Sequence, residues 1–312
     1  MKQFIVVCLL TGLVFHVPFS QGDGYGQTRD SSITTSSPHH GNGFHGPPKA
    51  RAASILLKDL RTGTALYEYH SSRRLPPASL TKILSALVIL DSGDLDRHVT
   101  ITREAARAPR TRMRIRRGDV FVLGDLLQAM LITSANDACR AATQFVGGGE
   151  AEFVSMMNKR AELMGLQNSH FMNACGFDRA GHYSTAQDLA RLTELALENP
   201  TFREIVSTDQ TTIVSLKKKR RYDLRNTNRL LSTIEGVEGV KTGFTARAGR
   251  CLIAKVRQEG KELLLVLMDA KRRWQTATNF IQYGITLLNG PEFLIPSSFS
   301  SEPPTVPTPP AS

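Results

Sequence analysis

The pattern of apolar and polar positions changes character several times along the chain. Ser54-Ile-Leu-Leu-Lys58 and Ala65-Leu-Tyr-Glu-Tyr69 are short β-prone runs on either side of Arg61-Thr62-Gly63, which predicts a hairpin over residues 53–69. After Ser79 the period becomes helical. Ile83, Leu84, Leu87 and Val88 recur at that spacing, as do Leu126, Leu127, Met130 and Leu131, and then Phe153, Met156, Met157, Ala161 and Leu163. Ser184-Thr-Ala-Gln187 fits a capping box that opens another helix through Leu189, Leu192 and Leu195. Strand character returns over residues 237–245. Residues 251–257 and 262–268 form a second predicted hairpin about Gln258-Glu-Gly-Lys261, and residues 274–288 read as a closing amphipathic helix.

Strands at both ends with helices between them imply an α/β (α+β) fold. One antiparallel sheet is expected from both ends of the chain, flanked by helices, with a mainly helical lobe inserted beside it. The seam between sheet and lobe is a natural place for a cleft.

The two ends of the chain differ from this folded unit. Lys2 precedes an apolar run from Phe4 to Phe15, and Ser20-Gln21-Gly22 supplies small residues after it. Residues 1–22 therefore read as an export signal, too short in its apolar part for a comfortable membrane span, with an uncleaved anchor as the alternative. Residues 23–49, rich in Gly, Ser, Thr and His, read as a flexible linker, in which His39, His40 and His45 are scattered. Residues 297–312 carry Pro303, Pro304, Pro307, Pro309 and Pro310 and read as a disordered tail. The folded unit is thus residues 50–296, in a chain expected to work in the periplasm or the extracellular wall space.

Composition is globular, with 41% hydrophobic and 21% charged residues, and the net charge is +11. A basic surface favours anionic partners without choosing among them. Of four cysteines, Cys8 lies in the apolar run, which leaves Cys139, Cys175 and Cys251. At most one pair can form, and spacing does not say which. No CxxC or HExxH is present, so neither a metal nor any other cofactor is expected.

Three short motifs carry chemistry. Ser79-Leu-Thr-Lys82 sits where the Pro76-Pro77 loop meets a predicted helix, so the two side chains lie one turn apart on one face. A serine needs an adjacent base to act as a nucleophile, and a lysine serves only if it is neutral, through desolvation or neighbouring positive charge. Ser134-Ala135-Asn136 supplies a hydroxyl and an amide between two helical patterns, which suits proton relay and peptide binding. Lys241-Thr242-Gly243 on a predicted strand adds a cation, a hydroxyl and a residue that allows close backbone approach.

That ordered set is the one found in penicillin-binding proteins and class A β-lactamases. Arg74-Leu-Pro-Pro-Ala-Ser-Leu-Thr-Lys82 resembles the nucleophile region of the D-alanyl-D-alanine carboxypeptidases. So do Leu131-Ile-Thr-Ser-Ala-Asn-Asp-Ala138, His182-Tyr-Ser-Thr-Ala-Gln-Asp-Leu-Ala190 and Gly239-Val-Lys-Thr-Gly-Phe-Thr245 in their own regions. The resemblance runs from about residue 50 to 290 and implies a β-lactamase-like, penicillin-binding fold. It implies Ser79 as the acylated nucleophile, Lys82 as its base and Ser134 as the relay to the departing amine. Asn136 would bind the substrate peptide and Lys241 would position Ser134. Thr242, with Thr245, would meet the terminal carboxylate, beside Gly243. The backbone N–H groups of Ser79 and Phe244 would form the oxyanion hole.

Asn173-Ala-Cys-Gly-Phe177 stands where the family pattern has Asn-Pro-x-Gly-Leu, which brings Cys175 near the expected cleft. The stretch after Leu288 is too short for the C-terminal β domain and amphipathic anchor of the larger relatives, so no C-terminal membrane attachment is expected. No Glu-x-x-Leu-Asn, the lactamase deacylation motif, occurs between Asn136 and Lys241. The expected reaction is removal of the terminal D-alanine from peptidoglycan stem peptides, with β-lactam antibiotics as inhibitors. A DD-endopeptidase, a β-lactamase and a non-catalytic penicillin-binding wall sensor are the alternatives. Two basic clusters, one of Arg110, Arg112, Arg114, Arg116 and Arg117 and one of Lys217 to Arg221, read as solvated loops or as contacts for anionic wall polymer or a membrane surface. Nucleic acid is not an expected partner, since the aromatic interleaving used for stacking is missing.

Overall fold

The computed structural model describes residues 46–290, so the export signal, most of the linker and the tail lie outside the described residues. The chain opens with β1 (Ser54–Asp59) and β2 (Ala65–Tyr69), then a 3-10 turn at Ala78–Thr81 that runs into α1 (Lys82–Asp91). The lobe follows: β3 (His98–Thr100), α2 (Arg103–Ala106), β4 (Val120–Val122), α3 (Leu123–Ile132), α4 (Asn136–Gly147) and α5 (Glu150–Leu163). Next come α6 (Ala186–Glu198), α7 (Pro200–Ser207), and the hairpin of β5 (Gln210–Val214) and β6 (Arg221–Arg225). The chain closes with β7 (Val237–Thr245), β8 (Gly249–Gln258), β9 (Lys261–Met268) and α8 (Arg273–Asn289).

The central sheet has the order β2-β1-β9-β8-β7, wholly antiparallel, so the first and last strands of the folded unit meet at β1–β9. Alternation along the strands divides the core in two. Leu56, Ile253, Leu264 and Val266 face the helical lobe, whereas Ile55, Leu57, Leu252, Leu265 and Leu267 pack with Phe280 and Ile281 of α8. A sheet covered on both faces needs near-continuous apolar strands, which is what β8 and β9 provide. The expected α/β architecture of sheet plus inserted helical lobe is the one observed.

Two details differ from the sequence reading. The cap of α6 is Thr185, not Ser184: its hydroxyl accepts from the Asp188 N–H, while the Ser184 backbone pairs with Leu75 as an isolated bridge. The cap is therefore shifted by one residue, because Ser184 is already committed to extended pairing, and no reciprocal box forms: the Asp188 carboxylate accepts instead from the Asn168 N–H and the Ser169 hydroxyl. The lobe is mainly helical as expected, but it also contains two strand pairs for which the sequence reading has no element. It carries the β3–β4 ribbon and the β5–β6 hairpin, whose strands are too short or too exposed to show a clear apolar period.

Candidate active site

Ser79 lies in the 3-10 turn that precedes α1, where residues three apart eclipse one another. Lys82 is the first residue of α1 and is wholly buried. Its Nζ lies 3.0 Å from Ser79 Oγ, 2.8 Å from Asn136 Oδ1 and 2.6 Å from the carbonyl oxygen of Cys175. Burial, with the nearby Lys241 ammonium second, holds the Lys82 amine well below its ordinary range. One nitrogen thus joins three segments of the chain, and burial works against its charge.

The turn bearing Ser79 is fixed from beneath. Ala78 has φ +50°, an uncommon conformation for a residue with a Cβ. Its carbonyl accepts from the Thr81 hydroxyl at 2.8 Å, and that hydroxyl lies 2.9 Å from His182 Nε2. His182 Nδ1 accepts from the Met172 N–H at 3.0 Å, so the ring proton belongs on Nε2 and donates to Thr81. Burial pushes His182 down to about 4, with His170 adding to the fall and Asp178 opposing it, which keeps the ring neutral at ordinary pH.

The 173–177 segment departs from the family pattern yet folds tightly. Asn173 Oδ1 accepts from the N–H groups of Gly176 and Phe177. Gly176 has φ +83°, and a Cβ there would stand 2.0 Å from the Ala78 carbonyl oxygen, so only glycine fits. Cys175 is in a disulfide with Cys139 of α4, and Cys251 is free and buried. Burial pushes the Cys251 thiol up to about 11, away from reactivity.

Ser134 occupies the turn between α3 and α4 with φ +59° and is buried. Asn136 opens α4. Its side chain reaches Lys82 on one side, and its Nδ2 donates to the Pro109 carbonyl at 2.9 Å on the other. On β7, a Cβ at Gly243 would come within 3.1 Å of the Ala78 Cβ and 3.2 Å of the Ser79 nitrogen, so the strand backbone passes directly against the nucleophile turn. Phe244 is 57% exposed, with its ring near the Arg250 guanidinium.

Lys241 is buried and lowered to about 7 by burial and then by Arg273. Among the described residues its Nζ donates to the Thr242 carbonyl, at 3.1 Å, and no hydrogen bond joins it to Ser134. Thr242 Oγ1 lies 2.6 Å from Thr227 Oγ1. The Thr245 hydroxyl donates to the Asp178 carboxylate and accepts from the Ala248 N–H.

Several of these partners carried no sequence signal. Arg273 donates to the carbonyls of Gly243 and Cys251, at 3.0 and 2.9 Å, tying α8 to the Lys-Thr-Gly strand. It stands at the start of a helix recognisable only by its apolar face. Asp178 and Thr227 lie in loops, where periodicity says nothing. His182 was visible within a family-like stretch, but without its contacts.

The D-alanyl-D-alanine carboxypeptidase family, peptidase S11, matches residues 42–272. The chain is 32% identical over 246 residues to the D-alanyl-D-alanine carboxypeptidase DacF of Bacillus subtilis, covering 76% of this chain and 62% of that protein. It is also 32% identical over 253 residues to the carboxypeptidase DacD of Escherichia coli, covering 76% and 64%. The chain therefore spans less than two thirds of these relatives' length. Among solved structures, the Streptomyces K15 DD-transpeptidase superposes with a TM-score of 0.72 at 30% identity, over 77% of this chain and 98% of that one. With the ordered motifs gathered around one buried lysine, this match shows that the chain belongs to the D-alanyl-D-alanine carboxypeptidase family.

Proposed function

We propose that the chain is an exported serine DD-carboxypeptidase that removes the terminal D-alanine of peptidoglycan stem peptides. The observation that carries this reading is the desolvated Lys82 amine within hydrogen-bond reach of Ser79 Oγ, at 3.0 Å. A neutral amine takes the Ser79 proton as Oγ bonds to the carbonyl carbon of the penultimate D-alanine. The backbone N–H groups of Ser79 and Phe244 hold the oxyanion. The C–N bond then breaks, and the departing D-alanine amine receives a proton through Ser134. Water hydrolyses the ester, which frees the shortened peptide and restores Ser79. Asn136 orients the peptide, and Lys241, Thr242 and Thr245 set the field for its terminal carboxylate. The apolar segment at residues 4–15 supports export, and the basic clusters support an anionic partner in the wall.

A paired time course tests the reaction. Penicillin is expected to form a long-lived adduct on Ser79, absent in Ser79→Ala, while a D-Ala-D-Ala-terminated peptide releases one D-alanine per turnover. Rapid decay of the adduct with no D-alanine released would assign a β-lactamase instead. A stable adduct with no turnover of any peptide would assign a penicillin-binding sensor.

A further inference from the structure

The two basic clusters stand about a hundred residues apart in sequence, but the fold joins them. The first lies on the long connection between β3 and β4. Residues 107–117 hold six arginines and no acid. Five contacts at residues 109–115 pin the segment to the start of α4. The N–H groups of Met113, Arg114 and Ile115 donate to the Asp137 carboxylate, and Asn136 Nδ2 donates to the Pro109 carbonyl. The Asn136 N–H also donates to the Thr111 carbonyl, at 2.8 Å. Among the described residues, none of the six guanidinium groups makes an ion pair.

The second cluster is the turn of the β5–β6 hairpin, residues 215–221, again without an acid. The turn docks on β4, where the Leu216 N–H donates to the Val120 carbonyl at 2.7 Å. Asp119 lies between the clusters and is buried. It accepts from the Arg116 N–H at 3.1 Å, from Arg220 Nη1 at 3.2 Å and from the Tyr222 hydroxyl at 3.4 Å. That carboxylate serves as an internal staple, and the remaining guanidinium and ammonium groups are left outward. Arg107, Arg112, Arg117, Lys217, Lys218 and Lys219 are all exposed.

We infer that residues 107–117 and 215–221 together form one binding surface for a linear, phosphate-rich polymer, seated beside the catalytic cleft. Packing like charges together costs energy in the free protein, and an extended polyanion relieves it along its length. Arginine predominates near the cleft, and its planar fork suits phosphate oxygens. A lipid surface fits less well. Membrane-surface segments pair basic residues with inserting apolar ones, and the large apolar side chains exposed among the described residues, Tyr69, Met156, Leu163 and Phe244, all lie outside this surface. The assignment to a wall polymer rests on the proposed export of the chain; binding itself does not rest on acyl transfer. Since the loop backbone also holds Asn136, the bound polymer would lie against the groups that receive the peptide.

The test measures affinity of the full chain for long-chain inorganic polyphosphate and for phosphatidylglycerol vesicles, over a salt series. Three charge-matched triple variants are compared: Lys217→Glu/Lys218→Glu/Lys219→Glu on the hairpin turn, Arg112→Glu/Arg116→Glu/Arg117→Glu on the loop, and Lys159→Glu/Arg191→Glu/Lys271→Glu elsewhere on the molecule. Polyphosphate should bind the wild type in a salt-sensitive manner, and each of the first two triples should weaken it at least about tenfold, the third by less than about twofold. Penicillin acylation of the hairpin-turn triple should proceed at the wild-type rate, which also shows that it is folded. Equal losses in all three triples, an effect confined to one cluster, tighter binding to the vesicles than to the polymer, or no polymer binding would each overturn the inference. Polymer binding by a chain that penicillin fails to acylate would count against the proposed reaction and leave this surface supported.

Discussion

The carbonyl oxygen of Cys175 accepts a 2.6 Å hydrogen bond from Lys82 Nζ, and the same residue is linked through its sulfur to Cys139 of α4. A covalent tie between two parts of the lobe therefore ends on a backbone group that orients the base. The bridge closes a loop with a sequence separation of 36. Reduction, or the Cys139→Ala/Cys175→Ala variant, is expected to lower stability by about 2–4 kcal/mol and to slow penicillin acylation. Urea denaturation and stopped-flow acylation check both. Identical midpoints with and without reductant would show that the bridge constrains nothing.

The field at Lys82 has a sign that can be tested. Burial lowers its amine most, and the like charge of Lys241 lowers it further. Removing that charge in Lys241→Gln should raise the Lys82 value, so a smaller fraction of the amine is neutral at any given pH. The acid limb of the acylation rate should then move to higher pH than in the wild type. A limb that stays in place, or moves down, would exclude Lys82 as the titrating base.

His182 links pH to stability by a separate route. Its ring titrates at about 4 in the folded chain, against an ordinary value of 6.5. Between those values the unfolded chain takes up a proton that the folded chain refuses. Stability is therefore full above 6.5 and falls as pH drops towards 4, by about 3 kcal/mol over the window. His182→Gln should flatten that part of the stability curve and disturb the Thr81–Ala78 contact beneath Ser79. Urea midpoints taken at pH steps measure it, and a slope equal to that of the wild type would refute the assignment.

Gly176→Ala places a methyl group where the Ala78 carbonyl already stands, at a backbone φ of +83°. The expected cost is at least about 2 kcal/mol, with a large loss of acylation because Ala78 leads directly into Ser79. Retention of both stability and acylation rate would mean that the turn adjusts without moving the nucleophile.

Legibility from sequence followed the physics of each element. β7 was read at its observed bounds, Val237–Thr245, and α8 to within one residue at each end, because long elements with a buried face write their period into the chain. The α6 cap was displaced by one residue because neighbouring Ser184 and Thr185 both suit the role, and only backbone pairing to Leu75 decides between them. The three motifs were visible as short strings. Their junction was not, since the Cys175 carbonyl is a main-chain group that any residue could supply. Arg273 and Asp178 act through contacts 30 and 67 residues away along the chain, a separation that no local pattern encodes. The merger of the basic clusters around Asp119 is of the same kind.

Lys82 owes its depressed affinity for protons to enclosure, and the enclosing pieces come from the whole length of the folded unit: Asn136 from α4, Cys175 from the segment before α6, and Lys241 from a strand near the end. An incomplete chain carries Ser79 next to an ordinary ammonium ion, which accepts no proton. The reagent is thus armed by the last strands to be made. A polypeptide that has not finished folding is silent towards acyl donors, and the fold itself acts as the safety catch.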